Sequence, residues 1–216
     1  VRLLGGAFAL GIILSLVVGV GRLSTRRWVR GFSFAFVEFA RGISSIILLF
    51  TMAIAIPILL DVPQQSLFVL ASIALGINMG GYGAEIVRGA ILAVPKDQTE
   101  ASIALNLSDT QRLRYVVLPQ AMRIILPPFG NLTIEILKGT ALVSLIGMAD
   151  IMQVTRNITQ QQLAEGVVGI TALYINVLVT YFVFAQVING LFRLGELLLE
   201  RRYHSHGDEL ETLEDS

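Results

Sequence analysis

The sequence predicts an all-α integral membrane protein with five transmembrane helices, and three observations lead to this prediction. Of its 216 residues, 54% are hydrophobic and 15% are charged, and the mean hydropathy of +0.72 is too high for an ordinary soluble domain. The apolar residues fall in long uncharged runs, and arginines cluster in short segments between these runs. Cysteine is absent from the sequence, which excludes disulfides, thiolate metal sites and cysteine nucleophiles.

Four uncharged runs are long enough to cross a bilayer, because a transmembrane helix needs about 20 residues. A fifth apolar segment, residues 139–149, is short, and by its length alone it could equally be re-entrant or interfacial. The chain opens on an apolar run without the features of a signal peptide, which leaves open whether the first helix begins upstream of Val1. The four clear runs lie near residues 3–21, 42–60, 62–84 and 166–192.

The distribution of basic residues predicts how these helices are oriented. Arginine prefers the cytoplasmic side of a membrane, so the loop that holds Arg22 and Arg30 is predicted to be inside, and the N-terminus outside. The long segment 85–138, with six basic residues, then lies in the cytoplasm. If segment 139–149 crosses as a fifth helix, the arginines after the last helix also fall inside. We therefore predict an external N-terminus and a cytoplasmic C-terminus.

Residues from about 95 to 130 form a charged segment that is too patterned to be a simple connector. Its first half has apolar residues at helical spacing, and Ser108 offers an N-cap for a second helix. Prolines further along are expected to break the chain, so we predict two short helices joined at a turn. Such a pair either docks on a soluble partner or rests on the lipid headgroups. The prolines are Pro119, Pro127 and Pro128.

Four stretches of the sequence resemble a family of membrane transporters. The stretch EASIALNLSDTQRLRYVVLPQAMRIILPPFGN, residues 100–131, resembles the Glu-Ala-Ala loop of the permease subunits of ABC importers. Three others resemble the polar amino acid uptake subfamily, in the same order: FVEFARG, AEIVRGAILAVPKDQ and LKGTALVSLIGMADI. The resemblance extends from the first helix to about Arg202. It departs from the subfamily at RGISS, residues 41–45, where a proline is common.

The resemblance implies a transmembrane permease domain over residues 1–203 of a multi-pass protein in the cytoplasmic membrane. Its expected partners are a pair of cytoplasmic ATPases, a second permease subunit that is the same chain or a paralogue, and an extracytoplasmic solute-binding protein. The chain itself would be no enzyme and would need no cofactor, and no nucleic acid is expected as a partner. No metal site is predicted, since His204 and His206 lack a nearby ligand cluster. Residues 204–216 are acidic and are expected to form a disordered, dispensable tail.

The same resemblance implies that the charged segment holds a coupling helix that lies in a cleft of the ATPase. Small side chains at Ala101 and Ser102 would allow a close approach, and Glu100 would cap or pair at the end of the helix. Asn106 stands where the family usually has glycine, at the turn between the two helices. Asparagine tolerates a left-handed conformation better than most residues, so we expect the turn to be kept. The predicted coupling residues are Glu100, Ala101, Ser102, Asn106, Leu118 and Pro119.

Polar and small residues in the predicted membrane helices give further candidates. Gly76 and Gly80 form a GxxxG pattern, which favours close helix packing over phosphate binding because no Gly-Lys-Ser/Thr follows. Asn78 and Tyr82 lie one turn apart at a depth where polar groups are costly, so they either line a solute pathway or form interhelical hydrogen bonds. Ser144 is a weaker candidate of the same kind.

The resemblance implies a permease that moves a polar amino acid, or an amino-acid-like zwitterion, inward by alternating access. ATP would be hydrolysed in another subunit. A permease for a compatible solute such as ectoine or hydroxyectoine is an alternative, since the subfamily includes such systems. A stand-alone channel or secondary transporter is a further alternative, and two features oppose it: the docking loop, and the lack of a carboxylate at the centre of any predicted helix.

Overall fold

The computed structural model describes residues 2–61, 67–148, 150–164 and 170–214, with side chains up to Leu199. The described residues form eight helices and no strand, which confirms the predicted all-α class. The helices are α1 Arg2–Gly21, α2 Arg27–Gly42, α3 Ser45–Leu60, α4 Leu67–Ala93, α5 Lys96–Ala104, α6 Asp109–Ile146, α7 Ile151–Ala164 and α8 Ile170–Glu214.

Four of the described helices are long and apolar enough to cross a membrane: α1, α4, α6 and the Ile170–Leu199 part of α8. Helices α2 and α3 meet at a bend of 100° and add a fifth crossing if they act as one broken span. The bend falls at Ile43 and Ser44, whose extended backbone separates the two helices. The predicted membrane fold of about five helices is therefore confirmed.

Helix α4 is the centre of the bundle, and α1 packs along it. A Cβ atom added at Gly80 would lie 2.6 Å from Leu14 Cβ, and one at Gly76 would lie 2.9 Å from Leu10 Cδ2. Both distances are shorter than van der Waals contact, so glycine lets the two helices approach this closely. Helices α2 and α6 pack on other sides of α4.

Helix α6 is continuous through three prolines, so the prediction that Pro119, Pro127 and Pro128 break the chain is wrong. A π turn, Leu113–Val117, directly precedes Pro119. The missing N–H and the bulk of the proline ring therefore fall where the regular hydrogen-bond ladder is already interrupted. Helices within a membrane protein tolerate proline because neighbouring helices and local adjustments compensate for the lost backbone bonds.

The predicted short fifth crossing, residues 139–149, is part of a longer span, helix α6. Residues up to Ile146 form the C-terminal end of α6 as a 3₁₀ segment, and Gly147 ends it with φ +75°. The start predicted for this crossing is too late because the prolines and basic residues of segment 85–138 were interpreted as a loop. The span that contains this segment begins at Asp109.

The backbone of α8 continues to Glu214, whereas residues 204–216 were predicted to be disordered. The tail contains no proline and follows a helix that is already formed, and lengthening such a helix costs little free energy. The side chains of this tail and residues 215–216 lie outside the described part of the chain. That the tail is dispensable stays a prediction.

Candidate functional site

Helix α5 and the turn after it form a polar projection between the two long helices α4 and α6. Glu100 and Ala101 are exposed, and so are two apolar side chains beside them, Ile103 and Leu105, the latter 75% exposed. Ser102 differs from these residues because it is 2% exposed and faces the body of the chain. Its hydroxyl donates to the Thr99 carbonyl at 2.6 Å, so this buried donor is satisfied within α5 itself.

Asn106 ends α5 in the left-handed conformation that the sequence analysis expected, with φ +60°. The Asn106 N–H donates to the Ile103 carbonyl at 2.8 Å, and the Leu107 N–H donates to the Ser102 carbonyl at 3.1 Å. These two bonds form a Schellman motif, the usual end of a helix that is followed by a left-handed residue. Asparagine therefore supports the turn that glycine would otherwise make.

The N-terminus of α6 is fixed by a capping box, which confirms the predicted N-cap at Ser108. The Ser108 hydroxyl accepts from the Gln111 N–H at 3.4 Å, and the Ser108 N–H donates to Gln111 Oε1 at 2.9 Å. Further along, Gln120 Nε2 donates to Gln98 Oε1 at 3.2 Å and ties α6 to α5. The projection is thus a defined helix–turn–helix surface whose outer side is uncovered within the described chain.

A partly open cavity of about 320 Å³ lies between α2, α4 and α6. On α4 its lining residues recur every three or four positions, and the same spacing occurs on α6, so each helix contributes one face. The polar lining residues are Arg41, Tyr82, Glu85, Asn131 and Glu135, and the apolar ones are Ile86, Pro128 and Leu132.

The charges around this cavity are of both signs. The Arg41 guanidinium lies over the Tyr82 ring, with its carbon 5.5 Å from the ring centroid. Glu85 forms ion pairs with Arg88 at 2.9 Å and with Arg22 at 3.2 Å, so its charge is already matched. Glu135 is exposed and lines the cavity wall on α6. Arg41 and Glu135 therefore offer a cation and a carboxylate to the same space.

Of the three polar residues predicted as pathway candidates, the structure brings Tyr82 to the cavity. Asn78 is 4% exposed and ties the α2–α3 bend to α4: its amide donates to the Ala40 carbonyl at 3.3 Å, and it accepts from the Ser45 hydroxyl at 3.0 Å. Asn78 thus forms interhelical hydrogen bonds, the second of its two predicted roles. Ser144 is buried, and its hydroxyl donates to the Ala141 carbonyl at 2.8 Å.

Arg41, Asn131 and Glu135 are not among the site residues predicted from the sequence. Segment 85–138 is predicted to lie in the cytoplasm, so Glu135 is not expected within a span. Glu135 lies inside the α6 span, in its C-terminal third and not at its centre. The spacing of Pro128, Asn131 and Glu135 on one helical face was the available signal.

Comparison with known proteins shows what this chain is similar to. A family model described as "Binding-protein-dependent transport system inner membrane component" matches residues 11–194. The probable amino-acid ABC transporter permease protein y4tF of Sinorhizobium fredii is 41% identical over 195 residues, which cover 88% of this chain and 80% of that protein. The histidine/lysine/arginine/ornithine transport system permease protein HisQ of Salmonella typhimurium is 36% identical over 206 residues, covering 90% of this chain and 85% of that protein.

A solved structure has a similar fold. A crystal structure of an amino acid ABC transporter with histidines matches with a TM-score of 0.78 and 29% sequence identity. The match covers 90% of this chain and 88% of that chain. The likeness therefore extends over most of this chain.

Proposed function

Because the chain belongs to the family of binding-protein-dependent transport system inner membrane components and is a permease subunit of an amino-acid ABC importer, we propose distinct roles for its two polar regions. Helix α5 couples the chain to a separate ATPase, and the cavity between α2, α4 and α6 carries the solute. The main support for this proposal is the cavity, because Arg41 and Glu135 both line it.

The end of the bundle that carries α5 is the cytoplasmic end. Arg22 follows α1 and Arg88 lies near the end of α4, and both bind Glu85, so the C-terminal ends of α1 and α4 lie together. Helix α5 follows α4 at this same end. Because basic residues prefer the cytoplasmic side, the N-terminus is outside and α5 is inside.

The surface that docks on the ATPase consists of α5 and its turn rather than all of residues 95–130. Helix α6 starts at Asp109 and is a candidate span, so Leu118 and Pro119 lie beyond the turn, within that helix. They support the joint between α5 and α6, next to the bond between Gln98 and Gln120. Direct contact falls to the exposed residues Glu100 and Ala101, while Asn106 shapes the turn and the buried Ser102 faces the body of the chain.

Docking on a protein explains α5 better than resting on lipid headgroups. A helix that lies in a membrane interface separates its apolar and charged residues onto opposite faces. Helix α5 shows almost no such separation, and its exposed side mixes Glu100 with Ala101 and Ile103. A small residue between an acid and an apolar side chain suits a close, partly polar contact with another protein.

The complete importer contains two permease subunits, two ATPases and an extracytoplasmic binding protein. Two features support a second permease, which is either the same chain or a paralogue. The cavity is partly open, and the most apolar window of α8 has no buried residue within this chain. The family description itself names dependence on a binding protein.

The solute is a polar amino acid in its zwitterionic form. Arg41 binds the carboxylate, Glu135 binds the ammonium group, and Asn131 and Tyr82 supply further polar contacts. A cavity of about 320 Å³ lies at the lower end of the range of roughly 300–1,000 Å³ for small-molecule sites. Ectoine has the same pair of charges, but the relatives described above are amino-acid permeases, which favours an amino acid.

Uptake by the reconstituted importer, with its ATPase and binding protein, tests this assignment. Arg41→Gln removes a charged hydrogen-bond donor worth about 1.5–3 kcal/mol, so we expect labelled amino acid uptake to fall at least about tenfold. ATP hydrolysis stimulated by the binding protein should persist, since α5 is unchanged. Arg26→Gln, an exposed charge outside the cavity, is the control. Uptake by Arg41→Gln equal to that control would exclude this cavity as the solute pathway.

A further inference from the structure

A second cavity, of about 430 Å³, lies where the end of α1, the start of α2 and the end of α4 meet. Four arginines line this arginine cavity, and within the described chain the carboxylate bound to them is Glu85, which contacts Arg22 and Arg88. One carboxylate matches one of the four charges, so the cavity keeps a strong positive excess. Its lining residues are Arg22, Arg27, Arg30, Gly31, Phe34 and Arg88.

Arg22 is the most enclosed of these arginines, with its side chain 14% exposed. Its guanidinium lies 4.7 Å from the centroid of the Phe34 ring, which fixes its plane. One of its terminal nitrogens, Nη1, is buried and has no hydrogen-bond partner among the described residues. A buried charged donor without a partner costs free energy, so an anion that accepts from it would stabilise the site.

The surface beside the arginine cavity is apolar and uncovered. Helix α2 is strongly amphipathic, and Trp28 and Phe32 are 92% and 76% exposed. Arg27 and Arg30 lie on the same helix, so cationic and aromatic groups alternate along its first turns. This combination is typical of helices at a membrane interface, where charged groups meet phosphates and apolar side chains meet acyl chains.

We propose that the arginine cavity binds the phosphate headgroup of an anionic phospholipid whose acyl chains lie along the apolar face of α2. A guanidinium group presents paired N–H donors that match two oxygens of a phosphate. Several arginines around one cavity therefore suit the phosphodiester of a lipid headgroup. Free phosphate satisfies the same donors, but it leaves Trp28 and Phe32 uncovered. The adjoining apolar face therefore selects a lipid over the soluble ion.

Trp28 makes this proposal directly measurable, because it is the single tryptophan of the sequence. The full chain is reconstituted in phosphatidylcholine vesicles with a fixed fraction of phosphatidylglycerol, and bromine is carried on the acyl chains of one lipid or the other. Bromine quenches nearby tryptophan fluorescence. At equal bromine content, brominated phosphatidylglycerol should quench Trp28 several-fold more effectively than brominated phosphatidylcholine. This comparison uses the wild-type chain and needs no variant to fold.

Two matched variants separate a built site from general surface charge. Arg30→Gln removes an arginine that lines the cavity, and Arg26→Gln removes an exposed arginine that does not. Arg30→Gln removes a charged hydrogen-bond donor to the phosphate, so it should lower the preference for phosphatidylglycerol at least about tenfold. Arg26→Gln should lower it far less. Equal losses in both variants would overturn the proposal.

A third experiment tests whether the arginine cavity binds free phosphate instead of a lipid. Inorganic phosphate is added to the chain in vesicles of phosphatidylcholine alone, and chloride at the same ionic strength is the reference. If Trp28 fluorescence responds to phosphate and wild-type quenching shows no preference for phosphatidylglycerol, the cavity takes the soluble ion and the lipid proposal is wrong. If neither brominated lipid reaches Trp28, this face of α2 is covered by another copy of the chain, and the proposal is equally overturned.

Discussion

Small residues occur in two regions of the molecule with opposite surroundings. On α4, Gly76 and Gly80 are covered by α1 so closely that a Cβ atom would not fit. On α5, Ala101 is exposed between Glu100 and the exposed Ile103. A small residue in a helix therefore permits a close contact but does not show which chain makes it. The chain itself makes the contact on α4, whereas on α5 we propose that the ATPase makes it.

The closed contact between α1 and α4 should be the most sensitive to added volume. Gly80→Leu forces a side chain into the space held by Leu14 Cβ, and overpacking of this kind costs about 1–3 kcal/mol or more. Gly89→Leu is the matched control, because it lies on the same helix with nothing within 4 Å of an added Cβ. Thermal unfolding of the purified chains should show a large loss for Gly80→Leu and little change for Gly89→Leu. Similar midpoints for the two variants would show that α1 does not contact α4 this closely.

The polar bonds inside the same packed region should have a smaller effect on stability. Asn78→Ala leaves the Ala40 carbonyl and the Ser45 hydroxyl without their bonds to α4, which costs about 1–3 kcal/mol for buried groups. Asn157→Ala removes an exposed bond to Gln153 and should change stability by less than about 0.5 kcal/mol. Chemical unfolding in detergent compares the two. An equally mild effect of Asn78→Ala would mean that the α2–α3 bend is held by apolar packing alone.

The smallest effect is expected at the C-terminus, outside both regions of the comparison. Residues 204–216 carry five acids and one pair of leucines, too little apolar surface to support a packed contact. A chain truncated after Tyr203 should keep uptake near the wild-type level in the reconstituted importer. A large loss of uptake, with normal abundance of the truncated chain in the membrane, would show that the tail contacts a partner.

Hydropathy was enough to predict the helices that are apolar along their whole length. Helices α1 and α4 lie close to the predicted runs 3–21 and 62–84, although α4 extends further, to Ala93. Helix α2 was missed as an element because its arginines interrupt every uncharged run. Helix α6 was divided wrongly because prolines and charged residues resemble a loop when the neighbouring helices that compensate for them are unknown.

Local backbone chemistry was predictable where a few adjacent residues determine it. The left-handed Asn106 and the capping role of Ser108 depend on residues within one turn, and both are present. The cavity depends on Arg41 and Glu135, which lie on different helices and are distant in sequence. Periodicity can place each residue on a helical face, but the packing of α2 and α6 against α4 decides that the two faces meet.

The most direct test of the coupling role of α5 is co-purification of the ATPase with a variant of its exposed small residue. Ala101→Glu adds volume and an unpaired charge to the proposed contact. This change should weaken the binding free energy of the ATPase by about 2–5 kcal/mol. The fold should survive because Ala101 is exposed in this chain. Asn106→Gly is the matched control, since glycine adopts the same left-handed conformation without strain.

We predict that Ala101→Glu inserts into the membrane at normal abundance and pairs with its partner permease, yet loses both ATPase association and uptake of labelled amino acid. Asn106→Gly should keep both. If Ala101→Glu retains ATPase binding and transport, α5 is not the coupling helix, and a helix resting on the lipid headgroups becomes the better interpretation of this segment.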